Sequence, residues 1–146
     1  METIYEIVRI KQVVREVENV KSMRSPQDVS RFAYDLIGEE DREVFLVMCL
    51  NTKNEVIAVH RAHVGSINAS IVHPREVLKS AILNNAASII VSHNHPSGNP
   101  SPSVEDLDVT ERLAKACEIV GIDLLDHLIV TPNEYKYVSL KEKGYF

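Results

Sequence analysis

Residues 92–113 read SHNHPSGNPSPSVEDLDVTERL, which places His93 and His95 one residue apart and Asp106 beyond a loop rich in Pro, Ser and Gly. Side chains two apart in extended chain point to one side, so both imidazoles can reach one ion. The turn-forming loop gives the chain room to bring Asp106 back to them. Two imidazoles and one carboxylate leave a fourth tetrahedral position for water, the arrangement of a catalytic zinc site. Zn2+ is therefore the expected cofactor, because it brings the pKa of its water to about 7 and polarises a carbonyl. Such chemistry also needs a carboxylate that takes and returns the proton. Two simpler readings stand beside this one. A His-x-His pair arises by chance, and Ser103 and Asp106 have the spacing of a helix cap. Capping and metal binding are compatible, since a carboxylate has two oxygens and a hydroxyl both donates and accepts.

A site of this kind requires a buried strand leading to His93 and a helix starting near Asp106. Residues 87–92 (ASIIVS) supply the strand, residues 93–102 the loop, and Ser103 caps a helix that runs to about Val120 and ends at Gly121. Crevices at strand ends of open α/β sheets are where such sites form. Elsewhere, Ser25, Pro26 and Asp28 signal a helix start, and Val29, Phe32, Ala33, Leu36 and Ile37 form its apolar face up to Gly38. Residues 43–50 (EVFLVMCL) read as a strand covered on both faces. NTKN turns the chain, and residues 55–60 return as the second arm of a hairpin. Residues 62–72 alternate loosely and suggest a further strand. His73-Pro74 opens a helix to about Asn84, residues 122–131 read as a strand, and YKYVSL at 135–140 as the last one. The β-branched residues of 4–17 (IYEIVRIKQVVREV) favour a strand over a helix on propensity. The expected organisation is an N-terminal extension over 1–24, a strand against the core, and one domain over 25–146. Its class is α/β, a three-layer sandwich with a mixed sheet.

Composition excludes several partners. At 146 residues the chain fits one domain. Its net charge of −5 argues against autonomous binding of duplex DNA, and its basic residues alternate with acidic ones, as in REVENVKSMR. Cys49 and Cys117 lie far apart in apolar runs and read as buried free thiols of a reducing compartment. There is no Cys-x-x-Cys pair, no signal peptide pattern and no apolar run of membrane-spanning length, so the expected location is cytoplasmic, without membrane contact.

The combination HNHP at 93–96 and SVED at 103–106, with ten residues between His95 and Asp106, resembles the JAMM (MPN+, JAB) metalloprotease signature. Within that superfamily the chain resembles the bacterial RadC family, through HNHPSGNPSPSVED, LNTKNEVI at 50–57, HVGSINASIVHPREV at 63–77 and LLDHLIV at 124–130. The similarity covers about residues 26–140. It implies a cytidine-deaminase-like (JAMM/MPN) fold, one zinc held by His93, His95 and Asp106, and a catalytic Glu at the head of an early strand. Here that is Glu43, which residue logic alone does not separate from Glu39, Glu40, Glu55 or Glu76. The resemblance also makes Ser103 a donor to the oxyanion formed when water attacks a carbonyl. Longer RadC proteins carry an N-terminal helix-hairpin-helix region, which this chain begins too late to hold.

The implied activity is zinc-dependent hydrolysis of an amide or isopeptide bond in an unknown peptide or protein substrate. The competing reading is a non-catalytic DNA-repair or recombination accessory protein with a structural metal. A third is a scaffold module, against which the intact ligand set counts; association into a homo-oligomer stays open. An HNH nuclease does not fit, since its three letters are scattered over a ββα unit. A deaminase does not fit either, for want of His-x-Glu and Pro-Cys-x-x-Cys. His60, His63 and His73 are expected to have structural or surface roles, with His73-Pro74 as a helix start. For Asp126 and His127 a satisfied strand pair is favoured over a role in orienting a metal-bound histidine.

Overall fold

In the computed structural model, which describes Met1–Phe146, the first helix, α1 (Pro26–Ile37), starts as its sequence dictates. The Ser25 hydroxyl accepts the Asp28 N–H, Pro26 occupies the first turn and Asp28 lies at the positive end of the helix. The chain continues through β1 (Val44–Leu50), β2 (Val56–Val64), α2 (Pro74–Leu83), β3 (Ser88–Asn94), α3 (Val104–Val120), β4 (Asp123–Val130) and β5 (Tyr137–Ser139). His73 caps α2 by accepting the Arg75 N–H on Nδ1, so it is indeed the helix start. Gly121 ends α3 at φ 83°, a left-handed conformation that glycine adopts without strain.

The five strands form one mixed sheet in the order β2-β1-β3-β4-β5. Only β3 and β4 run parallel, and α3 makes the crossover between them. Both central strands, β1 and β3, are buried along their whole length, because helices cover the two faces. On one face, Val29, Ala33 and Ile37 of α1 pack with Val44, Leu46, Met48, Leu50 and Ile90. On the other, Val77, Leu78 and Ala81 of α2 and Val109, Leu113 and Cys117 of α3 pack with Phe45, Val47, Cys49, Ile89 and Val91. The period of two along each strand divides these sets, and each fully buried large aliphatic contributes about 1.5–3 kcal/mol. The expected single-domain, three-layer α/β sandwich is therefore the fold. No helix is long and apolar enough to cross a membrane.

Four expectations need correction. Residues 4–17 form no strand, and their apolar side chains are exposed. β-propensity reflects fit to a pleated, half-buried surface, and no sheet edge pairs with this segment. The chain first joins the sheet at residues 21–23, where the Val56 N–H donates to the Lys21 carbonyl (2.8 Å) and the Met23 N–H to Asn54 (2.8 Å). Residues 62–72 are not a separate strand either. β2 runs on through Val64, and the Asn68 side chain then accepts the N–H groups of Ser70 and Ile71 to make a turn. Third, His93 and Asn94 belong to β3 rather than to the following loop. Last, β5 is shorter than residues 135–140.

Candidate metal centre

Sheet register brings distant residues to His93 and His95. β1 and β3 are antiparallel with Phe45 opposite His93. Extending that register by two residues puts Glu43 across from His95, and Glu43 Oε1 lies 3.9 Å from His95 Nε2. β3 and β4 are parallel with Val91 opposite His127, which puts His127 on the same face as His93. Capping brings in the carboxylate. Ser103 Oγ accepts the Asp106 N–H (3.0 Å), and Asp106 Oδ2 accepts the Ser103 N–H (2.9 Å), a full capping box at the start of α3. The same carboxylate faces both histidines, with Oδ1 3.1 Å from His93 Nε2 and Oδ2 3.1 Å from His95 Nε2. The two Nε2 atoms are 3.0 Å apart.

Hydrogen bonding sets what those nitrogens offer. His95 Nδ1 lies 2.8 Å from the Asn99 carbonyl, which only accepts, so Nδ1 carries the hydrogen and Nε2 the lone pair. His93 Nδ1 lies 2.7 Å from His127 Nε2, and His127 Nδ1 lies 2.6 Å from the Thr110 hydroxyl, which donates to the Asp106 carbonyl (2.8 Å). With the hydroxyl hydrogen on that carbonyl, Thr110 accepts from His127 Nδ1. His127 Nε2 then accepts from His93 Nδ1, and the His93 lone pair faces Asp106. Two lone pairs and a carboxylate converging at 3.0–3.1 Å require a shared cation, a proton or a metal. Ligand atoms on a tetrahedron of zinc-like radius stand about 3.4 Å apart, and the two Nε2 atoms stand 3.0 Å apart, each 3.1 Å from a different oxygen of Asp106. Glu43, His93 and His95 also bring one ligand atom each within 4.8 Å of one another, a group able to hold a metal ion.

The electrostatics agree. Burial favours a neutral Asp106, but the facing imidazoles of His93 and His95 and the Ser103 N–H outweigh this and hold the carboxyl well below the usual carboxylate range. Burial also opposes charge on His95, yet Asp106, the Asn99 carbonyl and Glu43 together raise its pKa. His127 is fully buried, and burial pushes its pKa well down, so it is a neutral imidazole.

All four expected residues, Glu43, His93, His95 and Asp106, meet at one place. Ser103, the fifth expected residue, joins them through its capping hydroxyl, which accepts the Asp106 N–H. Of three residues beside the site, sequence reasoning misses Thr110, gives Asn94 no chemistry, and favours for His127 a strand pair over the contact with His93 that the structure has. Asn94 accepts the Val44 N–H (2.7 Å) and donates to the Arg42 (2.9 Å) and Glu40 (3.2 Å) carbonyls, bracketing Glu43. Thr110 and His127 lie behind His93. Asp126 and His127 part company: Asp126 accepts from the Ser139 hydroxyl (2.6 Å) and ties β5 to β4, whereas His127 faces His93. The ring of Phe45 lies 12° from parallel to that of His93 and edge-on to that of His127. His60 and His63 lie on β2, opposite Val47 and Phe45, and neither is among the residues that contact His93, His95 or Asp106.

A family model described as the RadC-like JAB domain matches residues 23–145. The chain is 45% identical over 142 residues to a UPF0758 protein of Methanosarcina barkeri, covering 97% of this chain and 61% of that one. It is 55% identical over 123 residues to a UPF0758 protein of a Geobacillus species, covering 84% and 54%, and 50% identical over 130 residues to one of Bacillus cereus, covering 89% and 57%. The chain thus spans a little over half the length of these curated relatives. A site built on His-x-His-Pro and Ser-x-x-Asp, a mixed sheet between helices and a family match over nearly the whole chain lead to one assignment: the protein belongs to the RadC-like JAB-domain family.

Proposed function

We propose that the protein is a zinc-dependent hydrolase of amide or isopeptide bonds in a peptide or protein substrate. The observation that carries this reading is the convergence of the His93 and His95 lone pairs on the Asp106 carboxylate, with a second carboxylate, Glu43, at the rim. His93, His95 and Asp106 would hold the ion, which supplies a Lewis acid that acidifies water and polarises a carbonyl. Glu43 stands at 3.9 Å from His95 Nε2, against 3.1 Å for Asp106. That difference supports Asp106 as ligand and Glu43 as the group that takes a proton from the attacking water and returns it to the leaving amine. The Glu43 side chain is partly exposed, so it meets both solvent and substrate. Ser103 accepts the Asp106 N–H through oxygen, which leaves its hydroxyl hydrogen free to steady the developing oxyanion.

The test is metal content and peptidase turnover on purified protein and three variants. Wild type is expected to hold one zinc per chain, and His95→Ala and Asp106→Asn to hold far less. Glu43→Gln should keep zinc within a few-fold of wild-type affinity while turnover falls by about 10²–10⁴. Zinc retained by His95→Ala, or no zinc in wild type, would overturn the metal assignment. Loss of zinc from Glu43→Gln would make Glu43 a ligand instead of a base.

A further inference from the structure

We propose that Thr110 and His127 act together as positioning residues that fix the ring tautomer through which His93 binds its metal. The inference rests on the zinc-site reading above and goes beyond it, because neither residue belongs to the signature motif. Three short contacts form one line from α3 through β4 to β3: Thr110 Oγ1 to the Asp106 carbonyl (2.8 Å), His127 Nδ1 to Thr110 Oγ1 (2.6 Å) and His127 Nε2 to His93 Nδ1 (2.7 Å). Thr110, His127 and His93 are all buried, so water does not substitute for a missing partner.

A chain of this kind has two polarities. In one, Thr110 donates to the Asp106 carbonyl, His127 donates from Nδ1, and His93 donates from Nδ1 and keeps its Nε2 lone pair for the metal. In the other, Thr110 donates to His127, which donates from Nε2 to His93, and the hydrogen arrives on His93 Nε2, where it blocks the metal. The Asp106 carbonyl breaks the tie, because a carbonyl only accepts and the second polarity takes its hydroxyl partner away. The same residue, Asp106, thereby contributes a carboxylate to the site and a backbone oxygen that sets the tautomer of another ligand. Partners of this sort are worth 10–100-fold in metal affinity.

The experiment uses the full chain, with zinc as probe, in a chelator competition, and with ring ¹⁵N spectra of the metal-free and zinc-loaded protein. Wild-type His127 is expected to carry its hydrogen on Nδ1 in both states. Thr110→Val removes the anchoring hydroxyl at nearly constant shape. It should weaken zinc binding 10–100-fold and move the His127 hydrogen to Nε2. Thr110→Ser restores the hydroxyl and should return affinity to within about threefold of wild type, a rescue that a merely structural role would not produce. Zinc affinity in Thr110→Val equal to wild type overturns the relay and leaves the metal site standing. So does a wild-type His127 hydrogen on Nε2, a readout that survives if the valine variant fails to fold. Wild type that takes no zinc overturns the metal site and the relay together.

Discussion

The Asn94 side chain accepts the Val44 N–H at 2.7 Å, so the residue between the two histidines holds the backbone next to Glu43. Its amide also donates to the Arg42 and Glu40 carbonyls, so one side chain satisfies three backbone groups on the segment that carries the proposed base. Asn94→Ala strands these groups, the Val44 N–H most severely because that contact is buried. The expected loss is about 1–3 kcal/mol in chemical unfolding. Asn94→Asp should be no better, since a carboxylate sets oxygens against two carbonyls. Turnover in Asn94→Ala should fall further than zinc affinity, because Glu43 loses its anchor while His93, His95 and Asp106 keep theirs.

How much of this was legible follows from the range of each interaction. The caps of α1, α2 and α3 are local, and Ser25, His73 and Ser103 announce them within three residues. His93, His95 and Asp106 were legible for the same reason, being joined by one loop and one capping box. Glu43 was not separable from Glu39, Glu40, Glu55 or Glu76 by residue logic, because its approach to His95 depends on the β1–β3 register. His127 and Thr110 depend on the parallel β3–β4 pairing and on how α3 lies over it. Residues 4–17 failed in the opposite direction: their composition suits a strand, but pairing needs an edge that composition does not supply.

Phe45 ties the core to the site. It is fully buried, its ring nearly parallel to that of His93 (centroids 6.3 Å apart) and edge-on to that of His127 (5.6 Å). Phe45→Ala leaves a cavity under both rings and should cost about 3–5 kcal/mol by denaturant titration. Phe45→Leu fills much of the volume but not the flat face. It should fold with a smaller loss, yet bind zinc more weakly than wild type in the same competition assay. A leucine variant with unchanged zinc affinity would show that ring orientation is held by hydrogen bonds alone.

Cys49 and Cys117 are buried free thiols. Burial raises the Cys49 thiol pKa, and burial with the nearby Asp123 charge pushes Cys117 up to about 11. Since the thiolate is the nucleophile, neither should react with a thiol-specific reagent in the native state at neutral pH. Two equivalents should react after unfolding in denaturant. Rapid reaction of one thiol in the folded protein would place that cysteine at the surface or in an opening segment.

His95 gives zinc binding and stability opposite dependences on pH. In the metal-free protein its pKa is raised above the ordinary value of about 6.5 despite burial, chiefly by Asp106. The stability linked to its protonation is complete below the unfolded value and is lost as pH rises through the folded value. Zinc needs the neutral ring, so binding must displace that proton, and affinity should rise with pH until His95 is neutral without metal. The slope attributable to His95 is at most about tenfold per pH unit, one proton's worth. Thermal melts between pH 5.5 and 8 should therefore show a zinc-induced increase in Tm that grows with pH. With chelator present, the contribution from His95 should run the other way, as the difference between wild type and His95→Gln. A zinc-induced increase that is larger at pH 5.5 than at pH 8 would mean that His95 does not compete with the ion for its proton, and so does not ligate it.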